Sequence, residues 1–284
     1  DFKLLLGIKY SKSDYTEIAS KVWGFAKSMP ELNKDLIVFK NGIYSLKEGK
    51  FVESDDIAYS GFKDYEYIEN PNPKKFIEIM YGNIPDEEHE RLNAFLSSIL
   101  KPYYNSKMTV IHGLSGVGKS TGLSIIAKIL GQYSMVTDLK QVLEDKPTQS
   151  NLKGKLFLVI RELPPFWNKL DMLKIMLGET TFSGRKNYGD HDQWDNTITV
   201  SSSTNNPPPI PEEEKQNMHT RRLSLVHNTR EEPYPEDPTL EDDIIKKEGS
   251  DILSYLVNLM KDNYKYEDRQ TNQEEWEKLA SPEN

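Results

Sequence analysis

The residues that point most clearly to chemistry lie in one glycine-spaced segment, IHGLSGVGKSTG, which begins at Ile111. Gly113, Gly118, Lys119 and Ser120 match the P-loop pattern of Gly, any four residues, Gly-Lys and then Ser or Thr. In a P-loop, backbone N–H groups wrap the phosphates of a nucleotide, the lysine reaches the terminal phosphates and the hydroxyl binds Mg²⁺. The alternative is a glycine turn that holds no ligand. The predicted nucleotide-binding residues are Gly113, Leu114, Ser115, Gly116, Val117, Gly118, Lys119, Ser120 and Thr121.

The elements on either side of this loop are those that a P-loop requires. MTVIH, residues Met108 to His112, is a short apolar run with β-branched residues, which predicts a strand. In TGLSIIAKIL the apolar residues recur at helical spacing, and Gly131 is suited to end that helix. The N-terminus of the helix adds partial positive charge where the phosphates bind. Lys119 is expected to be a surface cation.

The composition limits the class of protein. The chain has 284 residues, no cysteine and a net charge of -9, and its first residue, Asp1, suggests a segment of a larger polypeptide. Without cysteine there are no disulfides or thiolate metal sites, and a cytoplasmic location is expected. Because the sequence has neither a run of 18 apolar residues nor a signal pattern, we expect no membrane span. The negative charge argues against a protein that coats DNA over its whole surface, but a local basic element could still bind DNA.

The region before the P-loop predicts a small accessory unit. A helix is expected over residues 13–29, and three short strands separated by Asn41-Gly42 and Glu48-Gly49 are expected over residues 35–54. Residues 67–76 resemble a Pro/Asn linker, and two helices follow before Leu100. We therefore predict an accessory region over residues 1–72, a core over 73–230 and an acidic C-terminal helical region over 231–284.

Strands and helices alternate after the P-loop. Leu156 to Ile160 predicts a buried parallel strand, and DMLKIMLGETTFSG predicts a helix that closes near Gly178. GRKNYGDHDQW is typical of a polar hairpin, NTITVSSS of a strand, and the apolar spacing of LEDDIIKKEGSDILSYLVNLMKDNYK indicates a closing helical pair. The predicted fold class is α/β, with an open and mostly parallel sheet whose carboxyl edge carries the P-loop.

After the P-loop at Gly113 to Thr121 the chain carries, in this order, LFLVIRE, LKIMLGETTFSGRKNYGDHDQW, TITVSSSTNNP and HTRRLSLV. The order of these five motifs resembles the superfamily 3 helicases, the AAA+-type ring motors of viruses, phages and plasmids. The resemblance covers about residues 36–260 and is nearest to the branch that follows a primase or primase-polymerase domain. It implies an AAA+-like P-loop ATPase core with an N-terminal α/β collar-like region and C-terminal helices. It also implies ATP and Mg²⁺ as ligands.

Two acids usually end the Walker B strand of this family, and here LFLVIRE keeps one of them, Glu162, with Arg161 in the other place. By the resemblance Glu162 polarises the attacking water, assists the Mg²⁺ held by Ser120, or does both. The alternative for Glu162 is a solvated strand end. TITVSSSTNNP resembles the sensor strand, which delivers Asn205 beside the γ-phosphate; Asn206 is its rival, and a simple Asn-Pro turn is the alternative.

The resemblance assigns two further groups of cations. Lys186 falls at the pore lysine of the family, with Arg185 and Tyr188 beside it, which suits single-stranded DNA; a plain exposed β-turn is the alternative. In HTRRLSLV, Arg222 fits the arginine finger that acts on the nucleotide of a neighbouring subunit, and Arg221 is an extra cation. The alternative is that both arginines pair with the acidic tail.

Together these features predict an ATP-dependent replicative DNA helicase module that forms a ring, of six subunits by the resemblance. It would translocate on single-stranded DNA and share its polypeptide with a primase or polymerase domain. One alternative is an AAA+ loader, packaging or remodelling ATPase that does not unwind DNA. The other is an inactive nucleotide-binding scaffold, which the missing second acid favours.

Overall fold

The computed structural model describes residues 36–53, 61–62, 64–167, 170–185, 191–262, 264, 266 and 270–280. The strands are β1 (Leu36–Phe39), β2 (Gly42–Ser45), β3 (Lys50–Glu53), β4 (Met108–His112), β5 (Ser134–Thr137), β6 (Phe157–Ile160), β7 (Thr181–Arg185), β8 (His191–Asp195), β9 (Thr199–Thr204) and β10 (Leu223–His227). The helices are α1 (Lys74–Tyr81), α2 (His89–Ser98), α3 (Lys119–Leu130), α4 (Leu139–Glu144), α5 (Lys146–Ser150), α6 (Leu170–Gly178), α7 (Lys215–Asn217), α8 (Leu240–Lys261) and α9 (Gln270–Leu279). The helix predicted over residues 13–29 lies outside the described residues.

The central sheet has five strands in the order β10-β4-β9-β6-β5, and every neighbouring pair is parallel. Its middle strands are buried on both faces, which explains why β4 and β6 are continuous apolar runs in the sequence. The predicted α/β class with a parallel sheet is confirmed. Two of its strands, β5 and β10, were not predicted. Strand β5 lies at the side of the sheet and is only partly buried. The LSLV of β10 was interpreted only as part of the segment that contains Arg221 and Arg222.

Successive residues of each middle strand face opposite layers of the core. Phe157 and Val159 pack in one hydrophobic cluster with the P-loop helix α3 and with α8, whereas Leu158 and Ile160 pack in a second cluster with α4 and α6. The sheet is therefore covered by helices on both faces.

The predicted three-strand meander is confirmed, because β1, β2 and β3 form an antiparallel sheet. Phe39 and Tyr44 of this meander belong to the same hydrophobic cluster as α3. The core thus continues across the boundary predicted near residue 72, and that boundary stays a prediction. The hairpin predicted over GRKNYGDHDQW is confirmed by the antiparallel pairing of β7 and β8, in which Phe182 pairs with Trp194 and Arg185 with His191.

The closing helical pair predicted over the acidic region is wrong, because residues 240–261 form the single helix α8. Gly249 does not end this helix. A Cβ atom there would lie 2.5 Å from Cε1 of Tyr65, so the glycine allows a close approach between the two segments. No helix among the described residues combines the length and the apolar character needed to span a bilayer.

Candidate active site

The predicted P-loop connects β4 to α3 as its pattern requires. Gly118 of the pattern and Gly116, one of its four variable residues, have φ angles of +87° and +76°, in the left-handed region that favours glycine. Helix α3 begins at Lys119 and ends at Leu130, followed by Gly131 at φ +50° as predicted. The loop therefore lies at the N-terminus of a three-turn helix, where a phosphate is favoured.

Lys119 is buried inside the loop, with 9% of its surface exposed, so the expectation of a surface cation is wrong. Its Nζ atom donates hydrogen bonds to the carbonyl oxygens of Gly113 at 2.7 Å and Leu114 at 2.5 Å, and to Oδ1 of Asn205 at 3.0 Å. Burial lowers the pKa of the Lys119 ammonium, because its three acceptors are neutral. No carboxylate among the described residues pairs with this cation.

The segments that follow β4, β6 and β9 come together near Lys119, because β9 lies between β4 and β6 in the sheet. Parallel strands end at the same edge, so the residues that follow these strands meet there. They border a cavity of about 560 Å³ that also includes Ser120 and Glu162. Its remaining lining residues are Ser115, Gly116, Arg161, Leu163, Pro165, Ser203, Thr204, Asn206, Pro207, Pro208, Pro209, Leu279 and Ala280.

The two candidate sensor residues differ in what their groups contact. Asn205 presents its side-chain oxygen to Lys119, 86 residues away in sequence. Asn206 uses its backbone N–H and carbonyl to bond the hydroxyl of Thr204 at 3.2 Å and 2.9 Å. These two hydrogen bonds join the residues on either side of Asn205, and the choice between the two asparagines and a simple turn stays a prediction.

Arg222 lies at the amino ends of the parallel strands, whereas the cavity lies at their carboxyl ends. It directly precedes Leu223, which pairs with Met108 at the start of β4, whereas the P-loop follows the end of β4. Its Nη1 atom donates to the carbonyl of Leu177 at 2.5 Å and to the hydroxyl of Tyr104 at 3.2 Å. Its Nε atom is buried without a hydrogen-bond partner among the described residues.

Arg221 differs from Arg222, because its side chain is exposed. Within the described part of the chain neither arginine forms an ion pair with an acidic residue, which argues against pairing with the acidic tail. The structure thus does not bring either arginine to the cavity of its own chain.

The DNA-binding prediction falls on the end of β7 and on residues between β7 and β8 in the sequence. Arg185 is the last residue of β7. Lys186 and Tyr188 lie outside the described residues, so their roles stay predictions.

Residues 228–234, which follow β10, contact the predicted P-loop, and the sequence analysis did not identify them. Asn228 is buried and its Nδ2 atom donates to the carbonyl of Val117 at 3.4 Å, while the backbone N–H of Tyr234 donates to the carbonyl of Gly116 at 2.9 Å. A Cβ atom on Gly116 would lie 2.7 Å from Cβ of Pro233. Residues 228–234 carry turn-forming types but no spacing typical of a site, so no sequence signal marks this contact.

The side chains at the cavity are suited to an ion such as Mg²⁺, which takes few ligands from the protein, and not to an ion that protein ligands surround completely. The described residues contain no group of three or more His, Cys, Asp or Glu side chains that could cage an ion. Ser120 and Glu162 supply two oxygen-bearing side chains at the cavity. Mg²⁺ commonly takes one or two protein oxygens and completes its coordination with phosphate oxygens and water.

A family model described as a family of unknown function, DUF5906, matches residues 111–222, less than half of the chain. The match begins in the P-loop strand and ends at Arg222, so it contains all of the predicted site residues. A search among curated proteins gives no significant match.

Solved structures of the C-terminal region of NrS-1 have a similar fold. The A form apo structure of NrS-1 residues 305–718 has a TM-score of 0.56 at 13% identity over 78% of this chain and 55% of that one. The A form apo structure of the C-terminal region has the same TM-score and identity, over 82% of this chain and 57% of that one. This chain thus spans just over half of those chains, and the likeness concerns the fold.

Proposed function

We propose that this chain hydrolyses ATP at the cavity beside Lys119. The observation that carries the proposal is the position of the Lys119 ammonium, buried among neutral oxygens of Gly113, Leu114 and Asn205 at the N-terminus of α3. A buried cation with neutral acceptors is matched by a phosphate. The same cavity holds an acid, Glu162, and an amide, Asn205, both of which can position water.

The mechanism follows from these positions. The N–H groups of the loop bind the phosphates of ATP, and Lys119 exchanges its carbonyl acceptors for oxygens of the β and γ phosphates. Glu162 polarises a water molecule that Asn205 orients toward the γ-phosphorus. As the water oxygen bonds to that phosphorus, one of its protons passes to the carboxylate of Glu162 and the bond to the β–γ bridging oxygen breaks. ADP and phosphate then leave, and Glu162 releases the proton. Catalysis of this kind depends on positioning and charge stabilisation rather than on covalent chemistry.

Ser120 and Glu162 would hold Mg²⁺, which neutralises phosphate charge when it is bound. Arg161 lies next to Glu162 and also lines the cavity. Its guanidinium stands where a second acid is common in the helicase family that these motifs resemble. Glu162 alone would therefore both bind the Mg²⁺ and polarise the water.

We further propose that the ATPase drives a helicase that encircles single-stranded DNA as a ring. Its motif order resembles the primase-linked branch of superfamily 3, and its fold resembles the C-terminal region of NrS-1. Arg222, at the edge away from its own cavity, would complete the cavity of a neighbouring subunit. Lys186, with Arg185 and Tyr188, would contact the DNA in the pore.

ATP hydrolysis, measured with and without single-stranded DNA, tests the proposal when it is combined with a strand-displacement assay. We expect hydrolysis, stimulation by DNA and displacement, all lost in Glu162→Gln. Glu179→Gln is the matched control and should retain all three, because Glu179 is an exposed acid that follows α6 and does not line this cavity. Hydrolysis without displacement would indicate a loader or remodelling ATPase.

A nucleotide-binding scaffold is the second candidate, because Arg161 replaces the second acid. Nucleotide binding without any turnover, in the presence or absence of DNA, would establish the scaffold and refute the ATPase.

A further inference from the structure

The wall of the cavity that follows Asn205 consists of three consecutive prolines, Pro207, Pro208 and Pro209. Proline has no backbone N–H group, so this segment cannot be fixed by donating hydrogen bonds to its neighbours. Its carbonyl oxygens are the backbone groups that can anchor it. Donors for them must come from other parts of the chain.

Two tryptophans supply such donors to one oxygen. Nε1 of Trp276 donates to the carbonyl of Pro208 at 2.9 Å, and Nε1 of Trp167 donates to the same oxygen at 3.3 Å. The two indole rings are stacked with their centroids 6.5 Å apart. Trp276 is completely buried, which marks its indole as a fixed element of the core.

Trp276 lies on α9, near the end of the described chain. One turn further along, Leu279 and Ala280 line the cavity that contains Lys119 and Glu162. Helix α9 is also tied to the body of the protein by ion pairs of Glu275 with Arg91 and of Glu277 with Lys215. The C-terminal helix is therefore docked against the candidate active site, with Trp276 as its buried contact.

We propose that Trp276 is a positioning residue for nucleotide hydrolysis, which acts through Pro208 on Asn205. This inference rests on the proposed ATPase. The indole N–H holds the proline segment in place, and that segment begins two residues after the amide that contacts Lys119. Loss of the N–H loosens the loop, so Asn205 orients the attacking water less often while the P-loop still binds the phosphates.

The test replaces Trp276 by phenylalanine, which keeps an aromatic ring and removes the donor. We expect Trp276→Phe to lower kcat about three- to tenfold, the range of one hydrogen bond, with KM nearly unchanged. Trp194→Phe is the matched control, because it removes an indole whose Nε1 is buried without a hydrogen-bond partner among the described residues. It should keep the parent kcat.

A double-mutant cycle separates positioning from general weakening. If Trp276 acts through Asn205, then Trp276→Phe combined with Asn205→Ala is no slower than Asn205→Ala alone. Multiplied losses in the double variant, or a parent kcat in Trp276→Phe, would overturn the inference. If Trp276→Phe does not fold, Trp167→Phe, at a partly exposed site, replaces it and should lower kcat about twofold; a parent rate there also overturns the inference.

Hydrogen exchange distinguishes failure of this inference from failure of the proposed function, because it needs no turnover. The amides of residues 204–206 should exchange faster in Trp276→Phe than in Trp194→Phe, with the strand amides of β4 unchanged. Unchanged exchange at residues 204–206 overturns the positioning role whether or not the parent hydrolyses ATP. A parent that binds nucleotide without hydrolysis refutes the proposed function instead.

Discussion

The central sheet has one edge at the carboxyl ends of its parallel strands and another at their amino ends, and these two edges are organised differently. At the carboxyl edge, Lys119, Glu162 and Asn205 follow three separate strands and border one cavity. At the amino edge, Arg222 precedes β10 and bonds to Leu177 and Tyr104 of its own chain. One edge is thus assembled within a single chain, whereas the other presents a cation with no anionic partner among the described residues.

Under the proposed ring, a site shared between copies of the chain accounts for this difference. β4 has five residues and so separates the two edges by roughly 13–17 Å. An arginine at one end of that strand therefore does not serve the cavity at the other end of the same subunit. In a ring, the amino edge of one subunit could face the carboxyl edge of the next.

The largest effect on ATP turnover is expected when the phosphate-binding lysine at the carboxyl edge is removed. Lys119→Ala should lower ATP turnover by more than about 10³-fold, because no other cation of the loop reaches the β and γ phosphates. A colorimetric phosphate-release assay measures this. Lys128→Ala is the control, because Lys128 lies on the same helix but is exposed and pairs with Glu241 and Asp242. Turnover near the parent rate in Lys119→Ala would show that the loop is a turn without a catalytic role.

The next effect tests whether the amino edge acts on another subunit. Arg222→Ala should lower turnover on the order of 10³-fold, the smaller end of the range for a removed arginine finger. Mixing it with Lys119→Ala should restore part of the activity, because some interfaces then contain both intact groups. The measurement is ATP hydrolysis over a series of mixing ratios.

Arg221→Ala sharpens this test, because Arg221 is the exposed member of the pair. If mixing restores activity for Arg221→Ala and not for Arg222→Ala, the finger is Arg221. If neither mixture recovers where mixed oligomers form, the site is not shared between subunits.

Both edges also carry a buried histidine, which predicts acid sensitivity. Burial lowers the pKa of His112, beside the P-loop, and of His219, just before β10, from 6.5 to about 4. Between these values the unfolded chain binds protons that the folded chain does not, so stability falls as pH decreases from about 6.5 to about 4. The loss is about 3 kcal/mol for each histidine at the acid end. Urea unfolding at pH 7 and pH 5 measures the part of this loss that develops above pH 5, about 2 kcal/mol for each histidine.

Removing one histidine identifies the edge responsible. His112→Leu should weaken the pH dependence of the urea midpoint while leaving the contribution of His219. An unchanged pH dependence would mean that His112 is not buried as a neutral ring.

The sequence predicted those parts of the site that depend on local pattern. The strand, loop and helix around Lys119 and the strand before Glu162 are continuous segments, so apolar spacing and glycine positions were sufficient. Strand β5 was missed because an edge strand of four residues carries little apolar signal. The contact of Trp276 with Pro208 joins residues 68 apart and depends on how α9 packs, which no spacing encodes.

The smallest expected effect on basal ATP hydrolysis concerns the β7–β8 hairpin, which forms a sheet separate from the central one. Its test distinguishes a helicase from other ATPases. Lys186→Ala should keep basal ATP hydrolysis, because the phosphate site lies on other elements, and should lose most stimulation by single-stranded DNA and all strand displacement. The slope of log affinity against log salt should decrease by about 0.7 for each DNA phosphate that the variant no longer neutralises. Arg185→Ala should act in the same direction more weakly.

The control for this prediction is Lys47→Ala, an exposed lysine in the turn between β2 and β3, which removes the same charge far from the hairpin in sequence. It should leave the salt slope and the displacement rate unchanged. Equal losses in both variants would mean that DNA attraction depends on overall charge rather than on the hairpin. Strand displacement at the parent rate in Lys186→Ala would remove the hairpin from the mechanism and favour a loader or remodelling ATPase, in which the two edges of the sheet still cooperate but DNA is not gripped in a pore.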